Sequence, residues 1–227
     1  MSITNIFLFT HILAAGLQLL LFHCSYGQDT IYLRNPSFED LPRMGTISGP
    51  PIKGWHDCAS SMFPEESPPD IHPVHNAAWG ITLKAVDGET YLGLVTRYNG
   101  SYESVSQLLN SSLVPGKCYS FSGYLNQSDI YQSDTRRTMN TKKLENFIEP
   151  AELLIWGGTV FCEKEELLAK SGGVINHEWK LYEFTLSPKI QISSITIEAF
   201  YEWPATTPTN GHILVDGLSP IIEIDCK

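Results

Sequence analysis

The stretch Cys118-Tyr119-Ser120-Phe121-Ser122-Gly123-Tyr124-Leu125-Asn126 decides the fold class. Tyr119, Phe121 and Leu125 alternate with Ser120 and Ser122, the period of a strand with one buried face. Tyr182, Phe184 and Leu186 repeat the pattern, and so do Ile195, Ile197, Ala199 and Tyr201 beyond the turn around Pro188 and Lys189. These two runs are predicted to form a neighbouring antiparallel pair. Further strands are predicted at 30–33, 90–97, 103–108, 152–156, 212–215 and 221–224. Little in the chain repeats every three or four residues, and one short helix is predicted at 164–170, stopped by Gly172 and Gly173. About nine strands in one domain fit an all-β, two-sheet antiparallel jelly-roll sandwich, in which stacking the sheets hides their apolar faces. Two long irregular stretches, 41–78 and 127–150, are the places where recognition is expected.

The amino-terminal residues set the compartment. Residues 6–22 are almost continuously apolar, broken by Thr10, His11, Gly16 and Gln18, and Ser25 and Gly27 precede a cleavable bond to Gln28. That pattern predicts a signal peptide at 1–27 and an exported domain at 28–227, secreted or held at the cell surface or outer membrane. The absence of Lys or Arg before the apolar run leaves an uncleaved anchor as the alternative. His23 stands where a lipidation site wants a small residue, which argues against a lipid anchor at Cys24. No later stretch is long enough to span a bilayer.

Export gives the remaining cysteines a meaning. Cys58, Cys118, Cys162 and Cys226 form an even set in an oxidising setting, which predicts two disulfides with three possible pairings. Cys118 and Cys226 each fall at a predicted strand end, which favours joining them. Spacings of tens of residues without a CxxC or HxxxH pair argue against zinc. The formal charge of -10 and the lack of a basic stripe exclude nucleic acid as the expected partner.

Several longer strings carry a resemblance. Asn35-Pro36-Ser37-Phe38-Glu39, followed by Gly54-Trp55, resembles the opening of galactose-binding-like jelly rolls, many carbohydrate-binding modules among them. His212-Ile213-Leu214-Val215-Asp216-Gly217 resembles their closing strands. PPDIHP at 68–73, DGETYLGLVTR at 87–97, PGKCYSFSGYL at 115–125 and PAELLIWGG at 150–158 are similar to a group of bacterial surface domains whose relatives precede peptidoglycan-associating segments in outer-membrane proteins. The resemblance implies a structural calcium where the first and last strands meet, held by Glu39 and Asp216 with main-chain carbonyls. Calcium takes six to eight hard oxygen ligands, and two carboxylates with carbonyls suffice chemically. The competing reading is that both carboxylates accept hydrogen bonds from turn amides.

A sugar site needs an aromatic platform beside carboxylate, amide or guanidinium groups. The loops supply Trp55, Asp70, His72, His75 and Trp79, then Arg97, Tyr98, Asn126, Tyr131 and Arg136. Trp55 and Trp79 are weighed against service as core lids, and Trp156 and Trp179 are read as core. Asp70-Ile71-His72-Pro73 puts a carboxylate and an imidazole on one side of an extended segment, fit for a metal or an acid-base pair. The plainer reading makes Asp70 a turn cap and His72 the partner of a buried carbonyl. There is no Gly-x-Ser-x-Gly, HExxH or phosphate-cradling loop. The expectation is therefore a non-catalytic surface module recognising a glycan or cell-envelope polymer. An adhesive protein-binding role stands second, and a polysaccharide hydrolase built on two carboxylates third. The oligomeric state is left open.

Overall fold

The computed structural model describes residues 30–74, 79–133, 144–201 and 207–226. The leader predicted at 1–27, together with His75 and Arg136, lies outside the described residues. Among the described residues, fourteen strands run in chain order. They are β1 (Thr30–Ile31), β2 (His56–Asp57), β3 (Asp70–His72), β4 (Tyr91–Thr96), β5 (Ser104–Leu113), β6 (Cys118–Asn126), β7 (Gln132–Ser133), β8 (Glu145–Asn146), β9 (Ala151–Gly158), β10 (Glu166–Val174), β11 (Lys180–Leu186), β12 (Ile192–Tyr201), β13 (Gly211–Asp216) and β14 (Ile221–Ile224). The five beyond those predicted, apart from β10, are pairings of two or three residues inside the long loops.

One sheet has seven strands in the order β1-β14-β6-β13-β4-β3, with β11 on the other edge of β6; the second has the order β10-β9-β12-β5-β2. Along β6, β14 pairs with the beginning and β13 with the end, so the jog at 217–220 lets the last two strands share one neighbour. The inward positions are those the alternation singled out. Tyr119, Phe121 and Leu125 of one sheet meet Leu153, Ile155 and Ile197 of the other in one buried core.

Two expectations are corrected. The runs ending at Leu186 and Tyr201 are not neighbours: β11 pairs with β6, whereas β12 lies between β5 and β9 in the other sheet. Alternation identifies a buried face without saying which sheet presents it, and here the turn near Pro188 crosses from one layer to the other. The segment 164–170 is not a helix, because from Glu166 onward it forms β10 and pairs with β9. Pairing along a whole strand overrides a modest helix propensity. Gly172, at φ +70°, lies where the β10 register shifts, the place of a bulge rather than a helix stop. The one helix among the described residues, α1 (Ala59–Met62), sits instead behind Asp57, whose Oδ1 accepts the Ala59 amide at 2.9 Å.

A third layer covers the seven-stranded sheet. Strand β4 is buried at all six positions, which a sheet with one wet face does not produce. Leu92 and Leu94 face the main core, while Tyr91 and Val95 join Leu214 beneath Ile81, from the segment between β3 and β4, and Tyr131 and Phe147, from the second long loop. The sandwich thus has a covered outer face on one sheet and an open one on the other.

Candidate functional site

The covered face gathers most of the side chains singled out from the sequence. Asp70 and His72 lie on β3 with Ile71 between them, and both are buried. Asp70 Oδ1 accepts the Gly45 amide at 2.7 Å and Oδ2 accepts the Tyr131 hydroxyl. His72 stacks on Tyr91 and meets Tyr131 edge-on. Gly93 makes room for that ring, since a Cβ there would stand 2.8 Å from His72 Cδ2. Trp79 lies parallel to Tyr131, with centroids 6.4 Å apart.

This cluster is built for neutrality rather than proton transfer. Burial raises the Asp70 carboxyl, against the pull of its Tyr131 and Gly45 hydrogen bonds. It lowers His72 to about 3, so the imidazole is neutral. His72 Nε2 stands 3.9 Å from Asp70 Oδ2, beyond hydrogen-bond reach, and neither ring nitrogen has a hydrogen-bond partner. Asp70 does hold a turn amide, as the plainer reading had it, but His72 serves no carbonyl.

The other predicted side chains scatter. Arg97 is nearly buried and reaches Glu103 through Nη2. Tyr98 follows it on the turn, half-buried, its amide donating to Asn210 Oδ1 at 2.8 Å. Asn126 ends β6 and is wholly buried. Trp55 is 4% exposed in the main core, stacked on Phe38, with Nε1 donating to the Asn35 carbonyl at 3.0 Å. A ring so enclosed presents no face to a sugar, which corrects the platform expectation there.

Glu39 and Asp216 do come together, on one loop. Glu39 Oε1 accepts the amides of Glu89 and Thr90 at 2.9 and 3.0 Å. Asp216 Oδ2 accepts those of Val86 and Asp87 at 2.8 and 3.0 Å, and its Oδ1 takes Gly217 at 2.7 Å. Gly88 is required between them: its φ is +72°, and a Cβ would fall 2.2 Å from Glu39 Oε1. Burial raises Asp216 to about 6 against these amide bonds. Glu39 Oε1 and both Asp216 oxygens are aimed at by N–H groups, and no cluster of three or more His, Cys, Asp or Glu suited to a metal occurs among the described residues. This arrangement does not fit the ion. It fastens the first turn and β13 to the same loop through amides, and the Ser37 hydroxyl donates to Asp87 and the Thr90 hydroxyl to the Phe38 carbonyl at 2.9 Å. Chelation should therefore shift the melting temperature by less than about 2 °C; a fall of several degrees, reversed by added calcium, would reinstate the ion.

The open face of the five-stranded sheet carries a groove of about 530 Å³. Alternation on β9 sends Ala151, Leu153 and Ile155 into the core and Glu152, Leu154 and Trp156 into the groove. Register sets Trp156 opposite Thr196, Leu154 opposite Glu198 and Glu152 opposite Phe200, so aromatic and acidic positions interleave across two strands. Trp156 Nε1 donates to Glu198 Oε1 at 3.2 Å, and Lys164 pairs with the other oxygen. The same ammonium lies 4.7 Å over the Tyr102 ring, which meets Phe200 edge-on. Glu152 pairs with Lys170 at 3.4 Å. Burial raises Glu198, with Lys164 opposing it. Trp156 is therefore not core, as expected, but a half-exposed wall of the groove. The signal that could have found it was Glu152 and Glu198, each two residues from an aromatic or apolar groove neighbour, because a strand carrying acids on one face turns that face outward.

No family model matches the chain, and no curated protein does. Solved structures do. A Stig cyclase from Fischerella sp. TAU, in complex with (3Z)-3-(1-methyl-2-pyrrolidinylidene)-3H-indole, matches at a TM-score of 0.53 and 14% identity over 88% of this chain and 100% of its own. The CBM22-1–GH10 modules of a Clostridium thermocellum xylanase complexed with xylohexaose match at 0.45 and 14%, over 88% of this chain and 29% of theirs. The CBM22-1 xylan-binding domain of Paenibacillus barcinonensis Xyn10C matches at 0.41 and 13%, over 83% and 99%. The two-sheet topology and the match at 0.53 over 88% of this chain establish the fold alone, an all-β, two-sheet antiparallel jelly-roll sandwich.

Proposed function

We propose that this chain is an exported, non-catalytic module that binds a glycan chain in the groove of its five-stranded sheet. The observation that carries the reading is the interleaving of Trp156, Tyr102 and Phe200 with Glu152, Glu198, Lys164 and Lys170 on one open face. A sugar offers apolar C–H faces to aromatic rings and hydroxyls to charged groups, and this groove supplies both side by side. Its two carboxylates and two ammoniums cancel, while the chain as a whole carries -10. A neutral polymer is favoured over an acidic one, which the net charge repels. Two disulfides fit an oxidising, extracytoplasmic setting, and no helix among the described residues is long and apolar enough to cross a membrane.

Titration with soluble neutral polysaccharides tests the reading. Trp156→Ala should weaken binding at least roughly tenfold with little change in melting temperature, since the ring is a wall rather than core. A folded protein that ignores every neutral glycan, or a variant that binds like the parent, would sink it. A hydrolytic reading has one observation in its favour, the buried pair Glu152 and Glu198 in a common groove. Release of reducing sugar abolished by Glu198→Gln would establish that reading instead.

A further inference from the structure

The groove carries two buried carboxylates, and their cations reach them by different routes. Glu152 is met at 3.4 Å by Lys170, a side chain 51% exposed on the adjacent strand β10. Glu198, in the middle of β12, is met by Lys164, which stands on the turn between β9 and β10 and is only 18% exposed. That turn is anchored at several points. They are the Cys58–Cys162 disulfide, the Cys162 amide on Ser106 Oγ at 3.1 Å, the Glu165 amide on the Gly157 carbonyl at 3.0 Å and the Ser194 hydroxyl on the Val160 carbonyl at 2.6 Å. The Lys164 ammonium is thus a tethered group, brought to the open face of the sheet from outside it.

The walls around that ammonium are fixed without it. Glu198 Oε2 pairs with Nζ, the Tyr102 hydroxyl accepts from it at 3.3 Å, and the Tyr102 ring centroid lies 4.7 Å away. Trp156 Nε1 holds the other Glu198 oxygen at 3.2 Å, and Phe200 meets Tyr102 edge-on, so neither acid nor ring owes its position to the lysine. An acid beside an aromatic face recognises an organic cation, because charge and ring quadrupole attract the same group. Glu198 is 2% exposed, and a buried carboxylate stripped of its cation is costly. Whatever replaces Lys164 there must therefore carry positive charge.

We propose that Glu198 and Tyr102 form an organic-cation subsite within the groove and that Lys164 is its tethered occupant. The consequence for ligand choice rests on the glycan reading of the groove. With Lys164 in place the groove accepts a sugar carrying hydroxyls and repels one carrying an amine. Without Lys164 an amino sugar takes the vacated position. Lys164 thereby sets the choice between a neutral glycan and a cationic one.

Lys164→Ala removes Cγ to Nζ, the atoms of n-propylammonium, so that ion is the first probe. Thermal unfolding of the parent, Lys164→Ala and the double variant Lys164→Ala with Glu198→Gln is compared in propylammonium chloride and in sodium chloride of equal strength. The amine should raise the melting temperature of the single variant alone, by about 2 °C or more. If that variant is unfolded in sodium chloride, recovery of its near-ultraviolet circular dichroism in the amine is the same result. Neither rise nor recovery, or an equal rise in all three proteins, overturns the subsite. The second probe is a pair of equal-length oligosaccharides, cello- and chitosan-derived, which differ in one ring hydroxyl replaced by an ammonium in mildly acidic buffer. The parent should favour the neutral one, and Lys164→Ala should move the ratio of affinities roughly tenfold or more towards the amine. An unmoved ratio shows that Lys164 serves structure alone and overturns its part in specificity. Retention of neither oligosaccharide, with the propylammonium shift present, removes the glycan reading and leaves the cation subsite established.

Discussion

At pH 9, where Glu103 is charged, replacing Arg97 by Met should lower the unfolding free energy by about 3–5 kcal/mol. The guanidinium is nearly buried and is the counter-ion of Glu103, which is 2% exposed and also accepts the Val95 amide at 3.0 Å. Deleting one partner strands the other charge in a medium that cannot solvate it, and that penalty exceeds what the intact pair contributes. The double variant Arg97→Met with Glu103→Gln should recover most of the loss, because a neutral amide still accepts from Val95. Equal losses in the single and double variants would show that the cost lies in packing around Arg97, not in charge.

The same pair has a pH signature with a defined sign. Burial lifts Glu103 to about 8, Arg97 opposing, from an ordinary value of 4.5. An acid whose folded value is raised adds stability below its unfolded value and loses it as pH climbs through the folded one, here between about 4.5 and 8. Without Arg97 the folded value moves higher still. The difference between parent and Arg97→Met should therefore be smaller at pH 6 than at pH 9, where the parent's Glu103 is charged and paired. Denaturant unfolding at the two pH values reads it directly.

Strands β6 and β14 were legible to the residue because Ser alternates with aromatic rings in one, and because Ile221 to Ile224 follows a Gly-Leu-Ser-Pro break in the other. Sheet membership was not legible, since β11 and β12 show the same alternation and only tertiary pairing separates them. The candidate side chains were read as exposed because they lie in long polar loops. Four of them, Asp70, His72, Trp79 and Tyr131, instead occupy the face those loops cover, where Tyr131 and Phe147 act as an unforeseen second core. A loop that carries its own aromatic residues can fold back over a sheet, and a periodicity argument has no means of weighing that. Trp156 was misread for the opposite reason. Its strand is apolar on both sides of the alternation, and only the acids beside it mark the outer one.

Opening the disulfides should separate stability from binding. Cys118–Cys226 and Cys58–Cys162 close loops of similar length, with separations of 108 and 104 residues. On the loop-entropy account each therefore contributes about 4–5 kcal/mol by restricting the unfolded chain. Converting either pair to alanine should lower the melting temperature by about 10–20 °C while leaving a folded protein, because the core does not depend on the crosslinks. Their positions differ in consequence. Cys118–Cys226 ties the start of β6 to the residues after β14, in the seven-stranded sheet, the layer that does not carry the groove. Cys58–Cys162 ties the start of α1 to the turn between β9 and β10, two residues before Lys164, the ammonium that lies over Tyr102 and pairs with Glu198. Phe161 in that turn stacks on His56, the Cys162 amide donates to Ser106 Oγ at 3.1 Å and the Glu165 amide donates to the Gly157 carbonyl at 3.0 Å, but without the covalent tie only non-covalent contacts hold Lys164 in place. Loss of Cys58–Cys162 should thus weaken glycan binding well below the melting temperature, whereas loss of Cys118–Cys226 should cost stability alone. Calorimetric unfolding and polysaccharide titration of the two variants at 20 °C below the lower midpoint decide it, and equal binding by both would show that the β9–β10 turn plays no part in shaping the groove.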